Sequence, residues 1–401
     1  MSGGRGRTIL GVERLRAAGP GGRRRVGLLS NQSAILPDGR SVRRALVEAG
    51  FPLVRLFGPE HGFRAEAQDT ASVADGVLEG IEVVSLYGPR TRPDPAHVAD
   101  LDAVIIDIQD VGCRYYTYLY TAAGVMDVCA AAGTEVVVCD RPNPAGARWV
   151  EGGALAPGAE SEVGGYGLAQ RHGMTVAELT CYLYRGYLSG PEPTLLPMEH
   201  YARDYLWPET GLPWKQPSPN LPHPETALVY PGTCLFEGTN ISEGRGTTRP
   251  FETIGAPWID AEKLRDDLSA RDLGGVVFSV CDFTPTFSAF AGEPCRGVQL
   301  HVTDAGRFRP LHVGVHLLDA VRRHSGEKFA WRPLWQDSSR SFVDWLGGGP
   351  QFRELLDGGG SPEEAYALLC RDAERFRAAR EAALLYPTEG PGAERPPARE
   401  A

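Results

Sequence analysis

The first part of the chain alternates short apolar runs with segments of helical periodicity. The periodic segments at 42–49 and 124–132 predict helices, and the apolar runs between them predict strands. The predicted strands are 26–30, 53–57, 83–86, 103–108 and 135–139. The run 103–108 is apolar on both faces, which is typical of a central strand in a parallel sheet. The alternation therefore predicts an α/β fold, with a Rossmann-like, doubly wound parallel sheet covered by helices on both faces.

The second part of the chain has long loops between its helices and strands. A glycine-rich, irregular stretch at 152–167 marks the predicted domain boundary. We predict a Rossmann-like α/β domain over 1–155, and an α+β domain over 156–386 that completes an active-site cleft. The predicted helices of this second domain are 174–187, 260–271, 311–324 and 362–382, its strands are 276–280 and 298–302, and its longest loop is 232–250. The tail 387–401 is rich in Pro, Gly, Glu and Arg, which predicts disorder.

Polar residues follow the predicted strands of the first domain, where open parallel sheets bind their ligands. Four such segments occur, and we expect all of them to open onto one edge of the sheet. The candidate substrate contacts that they supply are Asn31, Gln32, Arg64, Gln109 and Asn143. Polar loops also follow strands in proteins without a site there, so the placement alone is suggestive.

The segment 57–63, FGPEHGF, has the most specific local pattern. Two glycines and a proline form a turn just after a strand and hold Glu60 beside His61. A carboxylic acid in a partly dry cleft has a raised pKa and can protonate a leaving oxygen. His61 is then a proton partner, a hydrogen-bond donor to the substrate, or a structural brace. A purely structural turn is the alternative.

The segment 107–118 ends the most apolar strand and is rich in polar and aromatic side chains. Its candidate site residues are Asp107, Gln109, Asp110, Arg114, Tyr115 and Tyr116. Strand alternation places Asp107 and Gln109 on one face and leaves Asp110 in the loop. Tyrosine rings can stack on sugars while their hydroxyls form hydrogen bonds. The alternative is a helix-capping aspartate with tyrosines packed in the core.

The loop 236–249 combines three glycines with charged and amide side chains. Its candidates are Glu237, Asn240, Glu243, Arg245 and Arg249. Glycine allows the backbone to approach a ligand closely, and an arginine can hold a carboxylate through two parallel hydrogen bonds. A phosphate cradle and a flexible surface loop are the alternatives. Asn220, in the Pro-rich segment 214–222, either lines the cleft or belongs to a rigid connector.

Composition and charge narrow the class of protein. The net charge of −10 argues against a nucleic-acid partner. The eight cysteines form no CxxC pair and no zinc-ligand spacing, so we expect free thiols, no metal and no other cofactor. No apolar run is long enough for a membrane span and the start lacks a signal-peptide core, which predicts a cytoplasmic protein without membrane association. A serine hydrolase is disfavoured because no G-x-S-x-G segment follows a strand.

Taken together and in order, several segments resemble one family. They are GLLSNQSA (27–34), LFGPEHGF (56–63), VVSLYG (83–88), DIQDVGCRYYTYL (107–119), DRPNP (140–144), PSPNLP (217–222) and FEGTNISEGRGTTRPFE (236–252). They resemble the family once called DUF1343, the NamZ-type exo-β-N-acetylmuramidases. The resemblance covers about residues 8–386, and the ordered set is far more specific than any single motif.

The resemblance implies a Rossmann-like domain joined to a second domain, with the active site in the cleft between them. It implies hydrolysis of a β-1,4 bond that releases terminal N-acetylmuramic acid from the non-reducing end of peptidoglycan fragments, without a nucleotide. The glutamate of the family's GPEHG segment corresponds to Glu60.

The resulting hypothesis is carboxylate acid–base chemistry, because glycoside hydrolysis needs charge control on both sides of the anomeric carbon. Glu60 is the candidate general acid, with His61 in its hydrogen-bond shell. The second carboxylate is Glu243, Asp110 or Asp107, in that order. Arg245, Arg249 and Arg114 are the candidates for binding the lactyl carboxylate of the substrate. The alternative functions are an amidase or esterase acting on cell-wall fragments, and a non-catalytic sugar-binding protein.

Overall fold

The computed structural model describes residues 6–64, 74–334 and 337–390, and its first domain is built on a seven-stranded sheet. The strands are β1 Val26–Leu29, β2 Leu53–Gly58, β3 Gly76–Leu78, β4 Ile81–Ser85, β5 Ala103–Ile106, β6 Glu135–Cys139 and β7 Thr194–Leu196. Their order is β3-β4-β2-β1-β5-β6-β7. All neighbours pair in parallel except the short edge strand β3, which is antiparallel to β4.

Helices cover both faces of this sheet, because its central strands are apolar on both sides. They are α1 Gly11–Ala18, α2 Val42–Glu48, α3 Tyr118–Ala132, α4 Val176–Gly186 and the short α5 Trp207–Thr210. Ile105 packs in the core cluster that contains residues of α1 and α2, whereas the next residue, Ile106, packs in the cluster that contains residues of α3 and α4. The predicted doubly wound, Rossmann-like sheet is confirmed.

The second domain combines a three-stranded antiparallel sheet with a group of helices, as the predicted α+β class requires. Its strands are β8 Thr253–Ala256, β9 Val276–Phe283 and β10 Cys295–Val302, in the order β8-β10-β9. Its helices are α6 Pro224–Thr233, α7 Ala261–Ser269, α8 Pro310–Ser325, α9 Phe342–Gly347, α10 Gln351–Asp357, α11 Pro362–Leu369 and α12 Ala373–Glu381. The predicted helix 362–382 is thus two helices, and the predicted loop 232–250 begins with the end of α6 and a 3-10 turn at Cys234–Gly238.

The structure moves the domain boundary relative to the sequence prediction. Strand β7 pairs with β6 in the first sheet, so this domain continues beyond 155 to the start of α6. The glycine-rich stretch 152–167 is an excursion within the first domain, because backbone bridges connect Arg171 to both Cys113 and Glu151. A change in composition reveals a loop, but it does not reveal which sheet the next strand joins.

The chain termini and the cysteines complete the description. Residues 387–388 of the predicted tail accept backbone hydrogen bonds from Arg203 and Asp204, and 391–401 lie outside the described residues. All eight cysteines are free thiols, five of them buried. Of the helices in the described ranges, none combines the length and the apolar character that crossing a bilayer requires.

Helices α6 and α8 cross in close contact, and glycine makes this approach possible. A Cβ atom added at Gly232 would lie 1.8 Å from the carbonyl oxygen of Pro310, and one added at Gly314 would lie 2.4 Å from the carbonyl oxygen of Gly232. Both distances are far below van der Waals contact, so a side chain at either position would push the helices apart.

Gly314→Ala should therefore lower the free energy of unfolding by about 1–3 kcal/mol. Gly186→Ala is the matched control, because Gly186 is also helical and has no atom within 4 Å of its Cβ position. That change should be neutral or stabilise by up to about 1 kcal/mol through the reduced entropy of the unfolded chain. Urea denaturation of both variants measures the difference, and equal effects would contradict the close-contact explanation.

A buried histidine links three helices of the second domain. His316 on α8 is 4% exposed, and its ring stacks edgewise on His312 at 4.4 Å. Arg271, which follows α7, donates to the His316 carbonyl oxygen at 3.0 Å, while Glu363 of α11 lies 3.9 Å from Nε2. Burial, together with the neighbouring His312, lowers the pKa of His316 from its ordinary value of 6.5 to about 4.

This shift predicts acid-sensitive stability. Between pH 6.5 and 4 the unfolded chain binds a proton at this histidine that the folded protein does not, so stability falls as pH decreases through this window, by at most about 1.4 kcal/mol per pH unit. His316→Asn should lose less stability than the wild type between pH 7.5 and 5 in urea denaturation. His301→Asn, on the exposed face of β10, is the control and should behave like the wild type.

Candidate functional site

A cavity of about 590 Å³ lies between the carboxyl edge of the first sheet and the second domain. Strand β1 is the point at which the strand order reverses, since β2 lies on one side of it and β5 on the other. Crevices at such reversal points are where open α/β sheets bind ligands. The predicted site residues that line the cavity are Glu60, His61, Tyr115, Tyr116, Asn220, Glu237, Glu243 and Arg245.

Glu60 and His61 lie in a tight turn at the end of β2. His61 is 4% exposed and has a φ of 68°, a left-handed conformation that is costly for a residue other than glycine. Gly58 permits the turn, because a Cβ atom there would lie 2.8 Å from the backbone nitrogen of Phe63. Strain of this kind persists only where the surrounding structure holds it, and here it presents the half-buried Glu60 to the cavity.

Two consecutive residues at the start of α3 hold Glu60 in place. The hydroxyl of Thr117 donates to Glu60 Oε2 at 2.6 Å. The fully buried hydroxyl of Tyr118 lies 2.6 Å from the carbonyl oxygen of Pro217 and 3.3 Å from that of Glu60, and it accepts a hydrogen bond from Asn31 Nδ2 at 2.9 Å. Backbone and carboxylate of Glu60 are therefore each fixed by a separate contact.

On the second-domain side, one arginine lies between two glutamates. Arg245 Nη2 contacts Glu237 Oε1 at 2.8 Å, and Arg245 Nε contacts Glu243 Oε1 at 2.9 Å. The neighbouring Gly244 and Gly246 both have positive φ, of 80° and 79°. A Cβ atom at Gly246 would lie 2.7 Å from the backbone of the β9–β10 hairpin, so the GRG sequence is needed to bring this loop close enough.

Aromatic side chains form much of the remaining cavity wall. The ring of Tyr230 packs edgewise on Phe251 at 4.8 Å and on Tyr116 at 6.3 Å. Tyr115 is 2% exposed, and its hydroxyl has no hydrogen-bond partner in the described part of the chain. Burial raises the pKa of Tyr115 well above its ordinary value, so its hydroxyl remains protonated and can donate.

The predicted residues at the end of β1 and beyond the Glu60 turn lie at a different cavity. Asn31, Gln32 and Arg64 line a space of about 300 Å³ that is separate from the 590 Å³ cavity. The Asn31 side chain braces Tyr118 from this side. Strands of a twisted sheet end at different heights, so not all strand-end loops reach the same crevice.

The predicted residues at the end of β5 form internal contacts instead of lining the main cavity. Asp107 is completely buried and pairs with Arg141, and burial raises the pKa of its carboxyl. Asp110 Oδ2 accepts a hydrogen bond from Gly112 N at 2.6 Å. Gln109 donates to the backbone carbonyl oxygens of Asp110 and Pro142 at 2.7 and 2.8 Å. Asp107 and Asp110 therefore lie outside the cavity. Neither is positioned to be the second carboxylate.

Two predicted arginines also lie outside the cavity. Arg114 is fully buried and donates to backbone carbonyl oxygens, the shortest contact being 2.6 Å to Leu346 of α9. Arg249 is half exposed at the surface and pairs with Glu252 at 3.1 Å. Sequence alone could not separate these arginines from Arg245, because all three follow glycine-rich or strand-end segments.

Two predicted asparagines brace loops. Asn143 donates to the Met174 carbonyl oxygen at 2.9 Å and accepts from Ala145 N at the same distance. Asn240 donates to Lys328 O at 2.8 Å and accepts from Ala330 N at 2.9 Å. Amides satisfy a donor and an acceptor together, which suits them to loop bracing as well as to ligand binding.

Several cavity residues were not identified from the sequence. They are Tyr87, Thr117, Glu162, Ser218, Tyr230, Phe251, Phe287, Arg332 and Phe342, among others. Thr117 and Ser218 fall inside motifs already singled out, so proximity to Glu60 and Asn220 was the available signal. Arg332 lies far from every motif and had no sequence signal. Within residues 6–64, 74–334 and 337–390, no group of three or more His, Cys, Asp or Glu side chains could hold a metal ion.

Comparison with known proteins agrees with this architecture. Family models of exo-β-N-acetylmuramidase NamZ match residues 26–225 with the N-terminal part and 228–386 with the C-terminal part. A peptidoglycan β-N-acetylmuramidase NamZ of Bacillus subtilis strain 168 is 39% identical over 366 residues, which cover 90% of this chain and 87% of that protein.

Two crystal structures of DUF1343-family proteins from Bacteroides fragilis have the same fold. One has a TM-score of 0.84 at 30% identity and covers 95% of this chain and 99% of its own. The other has a TM-score of 0.76 at 29% identity and covers 96% of this chain and 100% of its own. The family match at 26–225 also includes β7, in agreement with the extended first domain.

Proposed function

The chain belongs to the exo-β-N-acetylmuramidase NamZ family, and we propose that it hydrolyses the β-1,4 bond that links a terminal, non-reducing N-acetylmuramic acid to a peptidoglycan fragment. The observation that carries this proposal is the held carboxylate at the reversal point of the sheet. Glu60 faces a cavity with three further carboxylates and an aromatic wall, a set suited to sugar binding and acid–base chemistry. The cytoplasmic location expected from the sequence stays a prediction.

In the proposed reaction, Glu60 in its protonated form is the general acid. Thr117 holds Oε2, and Oε1 makes no hydrogen bond to any described residue, which leaves that oxygen available to the substrate. The Glu60 proton passes to the glycosidic oxygen as the bond from that oxygen to the anomeric carbon breaks, and water adds to that carbon. His61, buried in the same strained turn, also lines the cavity and is the proposed proton partner of the acid.

The second carboxylate is proposed to be Glu243 or Glu237. Both line the cavity, and both contact the guanidinium group of Arg245. A charged carboxylate is what the positive anomeric carbon of the transition state requires. Glu243 is the first choice, because it directly precedes the segment from Gly244 to Gly246 whose close packing positions the loop.

Replacing the acid is the direct test. Glu60→Gln should lower kcat at least about 100-fold on a muramic acid–terminated disaccharide, because the amide cannot supply the proton. Release of N-acetylmuramic acid, measured by chromatography, is the readout, and circular dichroism checks the fold. Asp110→Asn is the matched control outside the cavity, with a much smaller effect on kcat. A Glu60→Gln variant with the turnover of the wild type would remove Glu60 from this role.

A panel of substrates separates this function from its alternatives. An exo-muramidase should cleave a chromogenic β-glycoside of N-acetylmuramic acid, whereas an amidase or esterase should cleave a cell-wall peptide amide or an ester instead. A sugar-binding protein without activity should bind N-acetylmuramic acid in calorimetry and release no product from any of them.

The unpartnered hydroxyl of Tyr115 gives a test of packing in the cavity wall. Tyr115→Phe should leave the free energy of unfolding unchanged or increase it, since it removes a buried polar group that has no partner in the described protein. Because the hydroxyl is buried and has almost no surface open to the cavity, KM should change little. Urea denaturation and steady-state kinetics together check the prediction, and a large loss of stability would contradict it.

A further inference from the structure

The charges that line the cavity are unbalanced for an anionic substrate. Among the described lining residues, Glu162, Glu237 and Glu243 are carboxylates beside the proposed acid Glu60, and two are guanidinium groups, Arg245 and Arg332. N-acetylmuramic acid carries a lactyl carboxylate, which the glutamates would repel. A site for this sugar therefore needs a cation that is not already neutralised.

Arg245 does not meet this requirement. Its guanidinium already contacts Glu237 at 2.8 Å and Glu243 at 2.9 Å, and it lies over the ring of Phe251 at 5.0 Å. A third carboxylate at the same group would be placed against two negative charges. Arg249 and Arg114, the other arginines expected from the sequence, lie outside the cavity.

Arg332 does meet it. Within the described residues it forms no ion pair, and its side chain makes a single hydrogen bond, 3.4 Å long, from Nη1 to the backbone carbonyl oxygen of Glu237. A guanidinium group has five N–H donors, so most of them remain available in a planar fork that matches a carboxylate. The exposed side chain lies at the cavity and faces solvent as well.

The backbone and an aromatic ring hold Arg332 ready for a ligand. Its N–H donates to the carbonyl oxygen of Gly238 at 2.8 Å, and its carbonyl oxygen accepts from the N–H of Phe342 at 2.9 Å. Its guanidinium lies over the Phe342 ring at 5.5 Å. Asn240 holds the backbone of Ala330, two residues before Arg332, through hydrogen bonds to its N–H and its carbonyl oxygen. Such preorganisation lowers the entropy cost of binding.

We infer that Arg332 binds the lactyl carboxylate of N-acetylmuramic acid and so determines the preference for this sugar, an inference that rests on the proposed function. The contact lies at an exposed position, so it is partly screened, and the preference should weaken as ionic strength rises. Arg245 has a different role, because it holds the two glutamates together and does not contact the substrate anion.

The test compares two chromogenic β-glycosides that differ only at the lactyl group, one with the free carboxylate and one with the carboxamide. The wild type should prefer the carboxylate. Arg332→Gln should lower kcat/KM for the carboxylate substrate roughly 10- to 100-fold and for the carboxamide by less than about twofold. Arg332→Lys should retain part of the preference, since a single charge remains without the fork.

Arg249→Gln is the matched control, because it removes the same charge from a neighbouring loop outside the cavity. Its preference should equal that of the wild type. An unchanged preference in Arg332→Gln would overturn the inference, and so would an equal loss in both variants.

Failure of the proposed function has a different signature. In that case the wild type cleaves neither glycoside, and calorimetry with N-acetylmuramic acid and its carboxamide replaces the kinetic test. Tighter binding of the acid by the wild type, lost in Arg332→Gln, would still support the clamp, whereas equal binding of both sugars by the wild type would overturn it.

Discussion

The hydroxyl group of Tyr118 is the contact on which the site depends most. It is fully buried, and it lies within hydrogen-bond distance of groups from three separate loops: Asn31 after β1, Glu60 after β2, and Pro217 in the connecting segment. The hydroxyl shares its one proton between the carbonyl oxygens of Pro217 and Glu60 and accepts from Asn31 through a lone pair, so it can bind all three only if the loops meet at this point. Leaving such buried groups unpaired costs about 1–3 kcal/mol, which favours the single arrangement that presents Glu60 to the cavity.

Ionic groups have two distinct uses in this protein. Pairs such as Asp107–Arg141, Glu151–Arg171 and Glu178–Arg203 are almost completely buried and join segments that are distant in the sequence. Breaking such a pair would leave an uncompensated buried charge, so they specify how the loops pack around the first sheet. The groups that face the cavity are different, because most of them contact both the protein and the open space. Chemistry is possible only for this second set.

The distinction explains which site predictions were useful. Asp107 and Glu60 both follow apolar strands and both look like cleft carboxylates in the sequence. The difference is that Arg141, which follows the neighbouring strand, forms an ion pair with Asp107 in the protein interior. A strained turn instead directs the Glu60 side chain to the cavity. Neither the partner arginine nor the strain is visible in a local pattern, since both result from chain segments that meet only in three dimensions.

The sequence by itself determined the parallel sheet, the helices on both faces, the Glu60 turn and the glycine-rich loop of Arg245, because hydrophobic periodicity and turn chemistry act over a few residues. Tertiary structure alone decided that β7 completes the first sheet, that Asp110 and Arg249 stay outside the cavity, and that Arg332 enters it. The physical reason is the sequence separation between the residues that interact. Which carboxylate is neutralised and which one faces the cavity depends on contacts between separate segments, such as Asp107 with Arg141 at a separation of 34 residues and Thr117 with Glu60 at a separation of 57.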